Sequence, residues 1–250
     1  MQAGKSTSGG LSMDISGMPL GNYDEYADLT ASGRAEFPFE FERKFWVEQL
    51  PAEVLQHGSQ QIILQSYVFA EAGYAIRVRL AFRAATFEKF VFPEFDARSD
   101  LVGAYERRVL AELLAEDFAE HSVASTLAVK SPPVSGERYE LETEINQDVA
   151  VQILQRSANL VVKKRYSLWM QEDGWEFDVF YGQNQGLIVA ECERTSPVTN
   201  LEIPDFCRTE VTGDLRFTND YLSKEPWLEW DTAFRTELAQ RGPRFLDFSA

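Results

Sequence analysis

Six short segments place charged side chains two residues apart, with mostly apolar residues between them. They are Glu40-Phe41-Glu42-Arg43-Lys44, Arg77-Val78-Arg79, Arg138-Tyr139-Glu140-Leu141-Glu142-Thr143-Glu144, Lys163-Lys164-Arg165, Glu176-Phe177-Asp178 and Glu191-Cys192-Glu193. In an extended strand, residues i and i+2 share a face. Each segment therefore reads as a strand with one charged face and one largely apolar face. Acidic and basic strands recur along the chain, which suggests a sheet whose charged faces meet. Carboxylate oxygens suit Mg2+ or Mn2+, and lysine and arginine suit the oxygens of a polyphosphate. Together they are the parts of metal-assisted phosphoryl transfer, in which the ion offsets developing charge and orients the attacking water.

A solvated antiparallel sheet also alternates apolar and charged residues. Ordinary exposed faces mix in Ser, Thr and Gln, whereas these positions are almost all ionised. A charged face of period two backed by an apolar one suits a closed barrel with a polar interior.

The net charge of −16 opposes a nucleic-acid duplex as partner and docking on an anionic membrane. A small anion is a different case, because local charge can oppose the global charge. On the proposed inner faces, Glu40, Glu42, Glu140, Glu142, Glu144, Glu176, Asp178, Glu191 and Glu193 stand against Lys44, Arg77, Arg79, Lys130, Arg138, Lys163 and Arg165. Two divalent ions would turn that slight acidic excess into a basic one. The interior would then attract a polyanion only when metal is bound, while the exterior stays acidic.

The elements that must position these groups follow from the pattern. Strands are expected at Phe37–Val47, Ile62–Ala70, Tyr74–Phe82, Ser125–Lys130, Arg138–Ile145, Leu160–Met170, Trp175–Tyr181 and Leu187–Arg194, most of them joined as hairpins. Arg43 breaks the alternation of the first strand, since it falls among the apolar positions. A short helix should open after Leu50-Pro51, with longer helices at Val149–Ala158 and Leu228–Gln240. Residues 83 to 124 are far longer than a turn needs. They carry Phe87, Phe90, Phe92 and Phe95, then an amphipathic helix from Ser99 to Glu120 with Leu101, Tyr105, Leu110, Leu113, Leu114 and Phe118 on one face. Packing on the outside of the sheet is the plain expectation; a lid over a cavity mouth or a dimer contact are the sharper alternatives.

Residues 1–35 are rich in Gly, Ser and Asp without periodicity and read as a flexible tail, leaving 36–250 as a single domain with a helical insertion at about 83–124. Gly4-Lys5-Ser6-Thr7 matches the end of a phosphate-binding loop but lacks the upstream glycine and strand. No apolar run is long enough to span a bilayer, and the first residues lack a signal-peptide core. Cys192 and Cys207 provide no disulfide framework and read as reduced thiols of a cytoplasmic protein. His57 and His121 have no ligand spacing around them.

Taken in order, the segments carry a family likeness. Phe39-Glu40-Phe41-Glu42-Arg43-Lys44-Phe45 resembles the ExExK motif of the CYTH domain, the triphosphate tunnel metalloenzyme superfamily. Arg77-Val78-Arg79, Thr126 to Lys130, Arg138 to Glu142, Lys163 to Tyr166, Trp175 to Phe180 and Ala190 to Glu193 resemble its later motifs in sequence. Val211 to Asn219 is similar to the C-terminal segment of the short bacterial inorganic triphosphatases. The resemblance implies an α+β fold: a closed eight-stranded antiparallel β-barrel, or tunnel, with a charged lumen and helices packed outside. It implies Mg2+ or Mn2+ and a small polyphosphate or triphosphate substrate. Lys44, Arg77, Arg79, Lys130, Lys163, Arg165 and Arg216 would bind phosphates. Glu40, Glu42, Glu191 and Glu193 would hold metal. Glu140, Glu142 and Asp178, together with Lys163, would serve the chemistry around a metal-bound water. Hydrolysis of inorganic tripolyphosphate is the first expectation, with nucleoside triphosphates as a side activity. The alternatives are an adenylyl cyclase and a non-catalytic polyphosphate- or nucleotide-binding module. A homodimer is one assembly the insertion allows.

Overall fold

The computed structural model describes residues 39–83, 90–100, 103–115, 122–132, 137–194 and 196–247. All lie in the compact unit Phe37–Ala250. The proposed tail, the Gly-Lys-Ser-Thr run, Phe87, Leu101, His121 and the C-terminal end of the expected 99–120 helix lie outside the described residues, while its expected start at Ser99 is a turn and the helix begins at Ala104.

Nine strands form: β1 (Phe39–Val47), β2 (Ser59–Glu71), β3 (Tyr74–Arg83), β4 (Ser122–Lys130), β5 (Glu137–Glu144), β6 (Leu160–Met170), β7 (Asp173–Phe180), β8 (Ile188–Arg194) and β9 (Cys207–Glu210). Five α-helices accompany them among the described residues: α1 (Ala52–His57), α2 (Ala104–Ala115), α3 (Gln147–Arg156), α4 (Asn219–Leu222) and α5 (Asp231–Arg241). Local chemistry sets the hairpins. Ala72 and Gly73 turn β2 into β3 with both φ angles positive, 51° and 84°, as a two-residue primed turn requires. A Cβ on Gly73 would also stand 2.9 Å from Pro132. Between β6 and β7 the turn is Gln171-Glu172, so β7 starts two residues before the expected Trp175. Gly174 is then a strand residue beneath the Trp169 ring, where a Cβ would come within 2.9 Å of a ring carbon.

The sheet corrects the expectation of a closed eight-stranded barrel. It is a nine-stranded antiparallel sheet in the order β5-β4-β3-β2-β6-β7-β8-β1-β9. Its outermost strands, β5 and β9, do not pair with each other among the described residues. Each lies along part of β1 instead, β5 beside Phe39–Phe41 and β9 beside Phe45–Val47. The opposite edge of β1 pairs with β8 from Phe41 to Trp46. Glu42, Arg43 and Lys44 therefore face a seam on one edge. The ninth strand is only four residues long, too short to print a period on the sequence.

Three apolar clusters hold this sheet. Ile62, Leu64, Val78, Leu80 and Phe82 on the outer face of β2 and β3 pack against Tyr105, Val109, Leu110 and Leu113 of α2 and Ala150 and Leu154 of α3. Asn146 caps α3, its side chain accepting from the Val149 amide at 3.2 Å. Phe45, Val47, Tyr166, Trp175, Phe177 and Cys192 form the outer core under α1 and the segment around Leu201. The third cluster lies on the inner side. Trp46, Val161, Phe180 and Val189 continue the charged faces of β1, β6, β7 and β8 by one further strand step. Val211, Phe217, Leu222, Trp227 and Phe234 of the C-terminal segment cover them. The inner face thus changes from charged to apolar toward one end, and that end is covered.

Candidate active site

The charged faces meet where the strand period put them. Lys44 Nζ lies 2.7 Å from Glu191 Oε1 and 3.2 Å from Glu42. Arg138 reaches Glu42 at 3.0 Å. Arg165 grips Asp178 with two nitrogens at 2.7 Å, reaches Glu191 at 3.1 Å and contacts Glu176. Lys163, fully buried, places Nζ 2.5 Å from Asp178. Asn219 of α4 lies 3.4 Å away on the other side of that ammonium. Across β3, β4 and β5, Arg77 binds Glu140 at 3.0 Å and also contacts Glu142, while Lys130 contacts Glu140. These residues come from seven of the nine strands.

Burial and pairing set the protonation. Burial opposes the charge on Asp178, yet Arg165 and Lys163 hold its carboxyl below the usual range. Glu191 behaves alike, burial being outweighed by Lys44 and Arg165. Lys44 is buried too, but Glu191 and Glu42 push its ammonium above the ordinary lysine value. Lys163 goes the other way. Burial outweighs Asp178, and the nearby Arg165 adds repulsion, so its pKa falls below the lysine range.

Two inner groups of opposite sign lack an ionic partner. Arg79 donates to Gln65 Oε1 at 3.3 Å and has no carboxylate within 4 Å among the described residues. Burial, then Arg77 and Arg165, lower its pKa to about 10. Glu193 has no cationic partner among the described residues. Burial first, then Glu176, Glu191, Glu42 and Glu140, raise its carboxyl to about 7, although water reaches it.

No three acids among the described residues already stand together as a coordination cage. The groups that raise the Glu193 carboxyl are nonetheless all carboxylates, the oxygen ligands a hard divalent ion takes. Glu42 and Glu191 are held by Lys44 and would have to exchange that partner for metal. The side chain of Glu40 lies outside the described residues; its backbone pairs with Arg138.

Arg216, expected at the phosphate site, lies in the C-terminal segment. Its guanidinium pairs with Asp214 at 2.7 Å and Glu237 at 3.2 Å, over the rings of Trp230 and Phe234. It belongs to the covering of the apolar end. Gln65 and Tyr67, which carry no charge to mark them in the sequence, are also buried on β2. The Tyr67 hydroxyl accepts from Gln65 Nε2 at 3.1 Å, and burial lifts the phenol to about 12. Their signal was present: they alternate with Ile62 and Leu64, which face the helices.

One face of the sheet thus brings cations and carboxylates together, side-chain types that suit a polyanion and a hard divalent ion respectively. An inorganic triphosphatase of Acetivibrio thermocellus is 36% identical over 103 residues, which cover 40% of this chain. The match spans 66% of that relative, just under two thirds of its length. No protein-family model matches the chain. Among solved structures, the inorganic triphosphatase NE1496 aligns with a TM-score of 0.44 at 20% identity, over 74% of this chain and 93% of that one. HpAC1 from Hippeastrum, described with a dominant triphosphatase activity, aligns with a TM-score of 0.33 at 13% identity, over 63% and 80%. At such scores these two structural likenesses carry no argument.

Proposed function

We propose that this chain hydrolyses a phosphoanhydride of a triphosphate, inorganic tripolyphosphate in the first place, with Mg2+ or Mn2+. The observation that carries the reading is a pair of opposite sign without ionic partners among the described residues: Arg79 among cations and Glu193 among acids, on the charged face of one sheet. Arg79 with Arg77, Lys130, Lys163, Arg165 and Lys44 would grip the phosphate oxygens, each charge-assisted contact being worth about 1.5–3 kcal/mol. A divalent ion held by Glu193 with Glu42 and Glu191 would offset the charge that develops on the transferred phosphoryl group. Glu140, Glu142 and Asp178 orient the cations and accept hydrogen bonds from water. Lys163, with its depressed pKa, can hold or release a proton at Nζ near neutral pH.

The covered apolar end favours a short, compact polyanion over a long chain passing through. The 83–124 insertion serves this reading as outer scaffold, supported by the packing of α2 on β2 and β3. Two buried free thiols, Cys192 and Cys207, support a cytoplasmic setting. The test is product analysis after incubation with tripolyphosphate or ATP and each metal. Orthophosphate with pyrophosphate or ADP is expected; cyclic AMP with pyrophosphate would move the assignment to a cyclase, and binding without turnover to a signalling module.

A further inference from the structure

The seam on β1 falls at Glu42–Lys44, where β5 has ended and β9 has not begun. Backbone groups there need partners that no strand supplies. The Lys44 amide donates instead to the Thr212 hydroxyl at 2.9 Å, and the Lys44 carbonyl accepts from the Val211 amide at 2.8 Å. Thr212 in turn donates to Glu210 Oε1 at 2.7 Å. A hydroxyl has one proton, so giving it to Glu210 turns a lone pair toward the Lys44 amide. Glu210 is fixed on all sides. Arg43 binds it in fork fashion at 2.9 and 2.6 Å, with both side chains nearly fully buried. The Leu246 amide donates to its other oxygen at 2.7 Å, and the Glu210 amide donates to the Arg244 carbonyl.

We propose that Glu210 is a positioning residue: with Arg43 it orients the Thr212 hydroxyl, which bridges the seam and fixes the backbone that carries Lys44. The break in alternation at Arg43 is then part of the site's construction. Arg43 sits on the outer face, one residue from a phosphate ligand, and its buried partner stitches β9 and the chain end at Leu246 behind that ligand. A buried, bidentate arginine–carboxylate pair supplies the rigidity that a three-residue gap in a sheet lacks. This rests on the reading of Lys44 as a phosphate ligand.

The test compares wild type with Thr212→Val, Thr212→Ser and Glu210→Gln in the full chain. Amide hydrogen exchange at Lys44 and the KM for tripolyphosphate with Mg2+ are both read. Thr212→Val and Glu210→Gln are expected to speed Lys44 exchange by about tenfold while β6 and β7 keep their protection. Thr212→Ser, which keeps the hydroxyl, is expected to stay near wild type. KM should rise by about fivefold or more in the Val and Gln variants, whereas partial unfolding alone lowers kcat and leaves KM unmoved. Unchanged Lys44 exchange in folded Thr212→Val, or no rescue by serine, overturns the proposal. If Glu210→Gln fails to fold, the Val and Ser pair decides, since Thr212 is only partly buried. If the wild type releases no phosphate with any divalent ion, the functional reading fails, and exchange at Lys44 still decides the positioning role.

Discussion

Replacing Arg79 with glutamine should weaken function and strengthen the fold at once. Burial, then Arg77 and Arg165, lower the pKa of Arg79 from the ordinary arginine range to about 10. The folded state binds its proton less tightly than the unfolded chain does. At neutral pH the charged side chain therefore opposes folding by up to about 3 kcal/mol. That penalty is relieved only as pH rises from about 10 toward the ordinary arginine range, so no change near neutrality removes it. Arg79→Gln abolishes the charge and keeps a hydrogen-bonding partner for Gln65. Subtracting about 1 kcal/mol for the lost stem packing, the variant should gain about 1–2 kcal/mol, or roughly 2–8 °C in Tm for a domain of this size. Its kcat/KM for tripolyphosphate should fall about 10- to 150-fold, from one lost charge-assisted contact. Thermal unfolding with and without tripolyphosphate reads both effects. Wild type should gain about 2.7 kcal/mol at a hundred times its Kd, and the variant much less. An Arg79→Gln protein that is less stable and equally active would refute the reasoning.

Other expectations follow from the same site. Glu42→Ala and Lys44→Ala should each lower phosphate release at least about tenfold, some 1.4 kcal/mol in barrier, with the circular dichroism spectrum unchanged. Glu193, raised to about 7, binds a proton more tightly folded than unfolded, so its contribution is full at low pH and lost as pH rises through 7. In metal-free buffer, wild-type Tm should decline between about pH 5 and 7 more steeply than that of Glu193→Gln, and saturating Mg2+ should erase the difference; parallel pH profiles would contradict this. Phe217→Ala should cost about 3–5 kcal/mol in urea unfolding, since Phe217 packs between Trp227, Trp230 and Phe234 at the covered end.

What the sequence displays well is anything written with a period. Charges at i and i+2 in β1, β3, β5, β6, β7 and β8 marked the inner face, and Lys44, Glu191, Arg165 and Asp178 are in contact there. Uncharged members of the same face, Gln65 and Tyr67, lay under that signal because a polar residue on a strand resembles an exposed one. Closure failed as an expectation for a different reason. Whether a sheet meets itself depends on how far β5 follows β1, and alternation says nothing about where a pairing stops. β9 was missed because four residues do not make a period, and with it went the meaning of Arg43, whose partner Glu210 stands 167 residues away. Arg216 was assigned by its place in a motif alone. Asp214, two residues before it, is close enough in sequence to claim it first.

The most direct measurement is steady-state phosphate release from tripolyphosphate by wild type and Lys44→Ala, in Mg2+ or Mn2+ and again in excess chelator. Release by the wild type that vanishes with chelator and falls at least about tenfold in Lys44→Ala is the predicted result. No release under either ion, or full release by folded Lys44→Ala, would contradict the account.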